Sequence, residues 1–137
     1  MSKLSELILH IGKPDLMIVP GDVNSTLASA LVANKMGIPL AHLESGLRSF
    51  DRAMPEEINR LLTDEISDYF FVTEQSGLDH LRDEKKNGEV FFVGNTMIDT
   101  LVHFEPQIAQ SEILHKLGIK DKPFILVTLH RPSNVDS

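Results

Sequence analysis

The sequence predicts an α/β fold with a doubly wound parallel sheet, on three observations. Short continuous apolar runs such as LMIVP (16–20) and YFFVT (69–73) have the length and bulk of strands buried on both faces. Between them lie segments whose apolar residues recur at helical spacing, the alternation of βαβ units. Polar clusters follow the runs, at the carboxyl ends of strands where parallel sheets bind ligands.

Taken in order, Leu4, Leu7, Ile8 and Ile11 predict a first helix, closed by Gly12 and Pro14. Leu16–Pro20 is the first strand. Asn24, Ser25 or Thr26 can cap the next helix, whose apolar positions include Leu27, Ala30, Leu31 and Met36. Gly37 stands where a C-terminal cap belongs, and Ile38–Leu43 is the second strand. Pro55 fits the start of a helix running to about Ser67, with Glu56 and Glu57 in its first turn. Tyr69–Thr73 is a strand, Gln75–Arg82 a helix and Val90–Val93 a further strand. Helices over Asn95–Phe104 and Ile108–Leu117 follow, the second ended by Gly118, and Phe124–Leu129 predicts a last strand. The Glu105-Pro106 step suggests a change of domain, with 1–103 the C-terminal part of a first domain and 104–137 an interdomain helix and the start of a second. The chain opens on a crossover helix without a preceding strand, so a piece of a larger architecture is expected.

Composition narrows the class. The 137 residues, 42% hydrophobic, suffice for one ordinary core. Lys and Arg total 13 against 20 Asp and Glu, a net charge of -7 that lacks the basic footprint of a nucleic-acid binder. The absence of cysteine excludes disulfides, thiol catalysis and Cys-ligated zinc. No apolar run approaches a membrane span, and the N-terminus lacks a signal-peptide core. An acidic, cytosolic protein is the expectation.

The stretch LESGLRSFDRAMPEEINR (43–60) concentrates charge around Gly46 and Pro55, reading as a strand end, a bent loop and a helix start. Glu44, ending an apolar strand, is costly to bury unpaired, and Arg48 is its obvious partner. Asp22 sits where it can cap the following helix. Glu56 and Glu57 complement a helix dipole, and Arg60 can pair with them within the helix. His42 and Glu44 form a His-x-Glu pair, but the zinc-deaminase reading needs cysteines this chain lacks. His130 differs from the other histidines in ending an apolar run, before Arg131. Asn95 or Thr96 can cap a helix after Gly94. Phosphate could meet the helix starts near Asn24 or Asn95, and the guanidinium of Arg48 or Arg131. Three carboxylates, a histidine and arginines at strand ends suit acid/base work on an anionic substrate.

The segments PGDVNSTLASALVANKMGIPLAHLESGLRS, MPEEINRLLTDEISD, FFVGNTMIDTL and ILVTLHRPSN resemble the non-hydrolysing UDP-N-acetylglucosamine 2-epimerases, in family order over nearly the whole chain. The chain resembles the middle of such a protein. The resemblance implies a Rossmann-like sheet within a two-domain, glycosyltransferase-B-like architecture. It also implies interconversion of UDP-GlcNAc and UDP-ManNAc without a cofactor. UDP leaves across C1–C2 to give 2-acetamidoglucal and re-adds with the proton on the other face of C2. Carried over motif by motif, Asp22 and Glu56 handle the C2 proton, Glu44 supports positive charge at C1 and His130 assists the departing diphosphate. Arg48, Arg131 and Asn95 fall at expected substrate-binding places. His130-Arg-Pro-Ser departs from the His-Arg-Arg-Glu of many members, which bears on substrate or regulatory contacts there. Full-length relatives act as cytosolic homodimers with no nucleic-acid or membrane partner. An association module, a hydrolysing epimerase and a glycosyltransferase of the same fold are the competing readings, and the chain alone is expected to have little activity.

Overall fold

Among the described residues four strands pair in parallel in their order along the chain, and the helices between them cross from each strand to the next. The computed structural model describes residues 2–129 and 135. The elements are α1 (Ser2–Ile11), β1 (Met17–Pro20), α2 (Asn24–Lys35), β2 (Leu40–Leu43), α3 (Pro55–Glu65), β3 (Tyr69–Val72), α4 (Gln75–Asp83) and β4 (Glu89–Phe92), then α5 (Thr96–Ala109) and α6 (Ile113–Lys116). Contacts divide the chain into two units, Met1–Asp99 and Thr100–Ser137. The α/β class and the parallel sheet are as expected.

In the first unit, register sets Val19 beside His42 and His42 beside Phe70. Side chains alternate along strands, so Val19, Leu40, His42, Phe70 and Val72 share one face. Ile8, Ala30 and Ala33 pack with Val19 and Leu40, while Leu78 and Leu81 pack with Phe70 and Val72. Of the apolar stripe expected on α1, Ile8 is buried, whereas Leu7 and Ile11 are exposed.

Local signals mark most helix ends. Gly37, at φ +62°, follows α2 and donates to Asn34 O (3.1 Å), while Ile38 N reaches Ala33 O (2.9 Å), the paired bonds of a Schellman cap. The start of α2 differs from expectation, because Val23 is the N-cap and no side chain caps it. Thr26 Oγ1 donates to Pro20 O (2.6 Å), and the Asp22 carboxylate is drawn to another helix. Gly46 admits no alternative: its φ is +79°, and a Cβ there would lie 2.4 Å from Gly77 O. Gly77 is equally confined, since a Cβ would meet Val72 Cγ1 at 2.7 Å. The loop after β2 therefore rests directly on the first turn of α4.

Beyond β4 three expectations fail. The helix does not break at Glu105-Pro106, because α5 continues through Pro106 to Ala109. A proline removes one helical hydrogen bond and bends a helix, but favourable residues on both sides can carry it through. The predicted Ile108–Leu117 helix is reduced to the four residues of α6. Phe124–Leu129 forms no strand, and Ile125 and Leu126 are among its most exposed residues. An apolar run becomes a strand only when another strand satisfies its backbone, and none among the described residues pairs with it.

Candidate active site

Two neighbouring strands deliver the first two carboxylates. Asp22 follows β1 through Gly21, and Glu44 follows β2, in register at Pro20 and Leu43. The Glu44 backbone sits at φ +68°, unusual for a side-chain-bearing residue, with its N–H donating to Phe71 O (3.0 Å). Its Oε2 lies over Gly21, at ordinary contact distance (3.9 Å) from where a Cβ would stand, and the φ of +62° at 21 is what favours glycine there. The expected Glu44–Arg48 pair does not form. Glu44 is half-buried, and its carboxylate makes no hydrogen bond or ion pair among the described residues.

Helix α3 holds Asp22 in place. Arg60 bonds Asp22 Oδ2 through Nε (2.9 Å) and Nη2 (2.6 Å), and Asn59 Nδ2 donates to Asp22 O (2.8 Å). Arg60 thus pairs across the fold as well as with Glu57, whose Oε2 lies 3.1 Å from its Nη1. Glu56 lies one turn before Asn59 and Arg60, on the helix face that meets Asp22, and its half-buried carboxylate has no partner among the described residues.

Glu57, next to it, does different work. Its buried carboxylate accepts from Ser49 N (2.9 Å), Ser49 Oγ (3.0 Å), Phe50 N (3.1 Å) and Arg60. Burial alone would raise its pKa, but the Ser49, Phe50 and Arg60 donors outweigh that, and the group is held below the usual carboxylate range. It ties the β2–α3 loop to the helix start rather than merely answering the helix dipole.

Arg48 lies beneath this surface, its side chain fully buried. Its Nη1 is 2.7 Å from Asp64 Oδ2, and its Nε and Nη2 each lie 2.7 Å from Glu84. Burial would lower its pKa, but Glu84 and Asp64 reverse that and raise it. With its side chain unexposed and its donors committed to Asp64, Glu84 and Leu47 O, Arg48 does not present its guanidinium to a ligand as expected. Glu84 is held low chiefly by its bonds to Arg48.

The sequence singles out His42 only for a zinc motif this chain cannot complete, and Asp64 not at all. Both are buried: His42 Nδ1 lies 2.6 Å from Asp64 Oδ1, and His42 Nε2 lies 2.8 Å from Gly21 O. Asp64 Oδ2 also accepts from Gly46 N (3.1 Å). Burial opposes the Asp64 carboxylate, but the His42 and Arg48 interactions hold it below its usual range. One signal could have found Asp64: Glu57, Arg60 and Asp64 recur at helical spacing, as a core-facing apolar stripe would.

Asn95 Oδ1 accepts from Met97 N (2.9 Å), the helix-capping role anticipated for it. His130 and Arg131 lie outside the described residues. No group of three metal-ligating side chains is gathered among the described residues. No helix among them is long and apolar enough to cross a membrane. A cavity of about 380 Å³ lined by Asn34, Gly37, Pro39, Asp68 and Tyr69 lies at the opposite ends of β2 and β3 and holds none of these carboxylates.

Comparison with known proteins converges on one group. The family described as UDP-N-acetylglucosamine 2-epimerase matches residues 1–137. A protein of Methanococcus maripaludis called a UDP-N-acetylglucosamine 2-epimerase homolog is 46% identical over 99% of this chain and 38% of its own length. A UDP-2,3-diacetamido-2,3-dideoxy-D-glucuronate 2-epimerase of Pseudomonas aeruginosa is 47% identical with the same coverage. The crystal structure of Methanocaldococcus jannaschii UDP-GlcNAc 2-epimerase, in complex with UDP-GlcNAc and UDP, matches with a TM-score of 0.89 and 41% identity over 99% of this chain and 38% of that one. The chain therefore spans about 38% of the length of the relatives it matches.

Proposed function

The chain belongs to the UDP-N-acetylglucosamine 2-epimerase family, and from that premise we propose that it supplies most of the acid/base groups of a UDP-sugar 2-epimerase. The reaction interconverts UDP-GlcNAc and UDP-ManNAc. One observation carries the reading: the half-buried carboxylates of Asp22 and Glu44 lie at adjacent strand ends around Gly21, and α3, which grips Asp22, presents Glu56 on the same face.

The chemistry asks for this arrangement. No carbonyl adjoins C2, so its proton leaves only as the C1–O bond to the diphosphate breaks and a C1–C2 double bond forms. Return of a proton to the opposite face, with the diphosphate oxygen rejoining C1, completes the inversion and conserves every atom. Two groups flanking C2 then exchange base and acid roles, which we assign to Asp22 and Glu56. Glu44 faces positive charge developing at C1. His130 is assigned to the leaving diphosphate, with Arg131 and Asn95 as substrate contacts. Arg48 serves through the loop it anchors.

The Pseudomonas relative favours a second, neighbouring reading. Its named substrate differs at C3 and C6 but keeps the acetamido group at C2, and it resembles this chain as strongly as the other relatives do. The C2 chemistry is common to both. A cytosolic homodimer, without nucleic-acid or membrane partners and serving polysaccharide synthesis, completes the proposal.

The test is proton NMR in D2O, with this sequence replacing the matching segment of the Methanocaldococcus relative. Loss of the sugar H2 signal with growth of deuterated UDP-ManNAc is expected, as is a fall of at least about a hundredfold in Asp22→Asn. A well-folded chimera that leaves both UDP-GlcNAc and the diacetamido substrate unchanged would overturn the reading. The isolated chain is expected to turn over little or not at all.

A further inference from the structure

Gly21 O can only accept, so His42 Nε2 carries a proton. Across the ring, Nδ1 faces Asp64 Oδ1, while Asp64 Oδ2 receives the Gly46 N–H and the Arg48 guanidinium. Two such donors hold Asp64 as a carboxylate, which leaves the second proton on Nδ1. The ring is then a buried imidazolium. Its charge closes the account of the cluster: His42, Arg48 and Lys86 carry three positive charges against Asp64, Glu84 and Glu65, which Lys86 contacts at the rim.

The bonds trace a line from one strand-end loop to the other. It runs from Gly21 O through both nitrogens of His42 and both oxygens of Asp64 to Gly46 N. Gly21 precedes Asp22, and Gly46 ends the turn that Glu44 begins. A neutral imidazole could donate to only one of its two acceptors, so a doubly protonated ring serves here where the neutral one fails.

We propose that His42, held as an imidazolium between Asp64 and the Gly21 carbonyl, is a positioning residue that fixes the spacing of Asp22 and Glu44 for proton transfer at the sugar. The inference rests on the epimerase reading for the roles of those two carboxylates. A displacement of about 1 Å at such a centre can cost roughly a hundredfold in rate, so a clamp between the loops has catalytic weight without touching substrate.

The experiment is NMR of the whole 15N-labelled chain. A proton–nitrogen correlation through the His42 ring should show both nitrogens protonated; one unprotonated nitrogen would overturn the proposal. In Asp64→Asn, the Gly46 amide should exchange with solvent about tenfold faster as its charge-assisted bond weakens. Shifts should concentrate at Gly21, Asp22, Glu44 and Gly46, leaving Val32 and Ala33 unmoved. Perturbation spread evenly through the sheet, or none at Gly21 and Gly46, would reduce the cluster to a structural one and sink the idea. If Asp64→Asn does not fold, the ring measurement on the unsubstituted chain still decides. Neither readout involves turnover, so failure here and failure of the epimerase reading are distinguishable.

Discussion

Helices α2 and α3 pack against each other and against the same face of the sheet, yet they bury opposite kinds of residue. α2 buries Ala30, Val32 and Ala33, with Thr26 as its one buried polar side chain. α3 buries Glu57, Asn59, Thr63 and Asp64 and leaves Leu62 exposed. The difference lies in what each helix faces. α2 covers Val19 and Leu40, which need only shape, whereas α3 faces loop ends whose N–H and C=O groups need partners. A helix with a polar inner face is therefore a wall of the candidate site, and the apolar one is a support.

The strongest way to break this contrast is Asp64→Ala. It leaves the His42 ring without its carboxylate partner and Arg48 with Glu84 alone, and should cost about 3–5 kcal/mol, read as a fall in the urea midpoint. A loss below about 1 kcal/mol would mean the cluster is solvated and the contrast superficial. Acid tests the same face. Asp64, Glu57 and Glu84 are each held below the ordinary range, so they bind protons less readily folded than unfolded. Their contribution is complete above the unfolded carboxylate values near pH ~4 and is lost as pH falls through the lower folded ones. The melting temperature should drop steeply in that window, and Glu57→Gln should flatten the slope; an unaltered slope would count against Glu57 as a paired group.

On α2 the expected effect is smaller and of another kind. Ala33→Leu should overpack the sheet contact and cost about 1–3 kcal/mol with no change in the acid dependence. A changed pH slope would show that the two helices do not act independently. The smallest effect belongs to the outward side of α3, where Leu62→Lys should alter stability by no more than about 0.5 kcal/mol by thermal melting. A larger loss would reveal an apolar contact that the exposure of Leu62 conceals.

Several site features were legible because they depend on near neighbours in sequence. Gly37 reads as a helix cap, Pro55 as a helix start and Asn95 as a cap, and each takes that role. Asp22 read as a cap as well, but Arg60, 38 positions away, claims its carboxylate. Arg48, four residues on, looked like the partner of Glu44, whereas β2 ends in a sharp turn and Arg48 reaches Glu84, 36 positions away. His42 stood out only as half of a His-x-Glu pair with no cysteines to complete a zinc site, and its partner is Asp64, 22 positions later. The Phe124–Leu129 run has strand composition but no neighbour among the described residues to make it one.

By itself, then, the sequence determined the order of strands and helices as far as β4, the class of fold and the strand ends where charged groups lie. Those follow from side-chain periodicity, glycine and proline, which act within a few residues. Only the tertiary structure decided which charges meet: Asp22 with Arg60, Arg48 with Asp64 and Glu84, and His42 with Asp64. An ion pair depends on distance in space and on exclusion of water, and both are set when distant segments pack rather than by spacing along the chain.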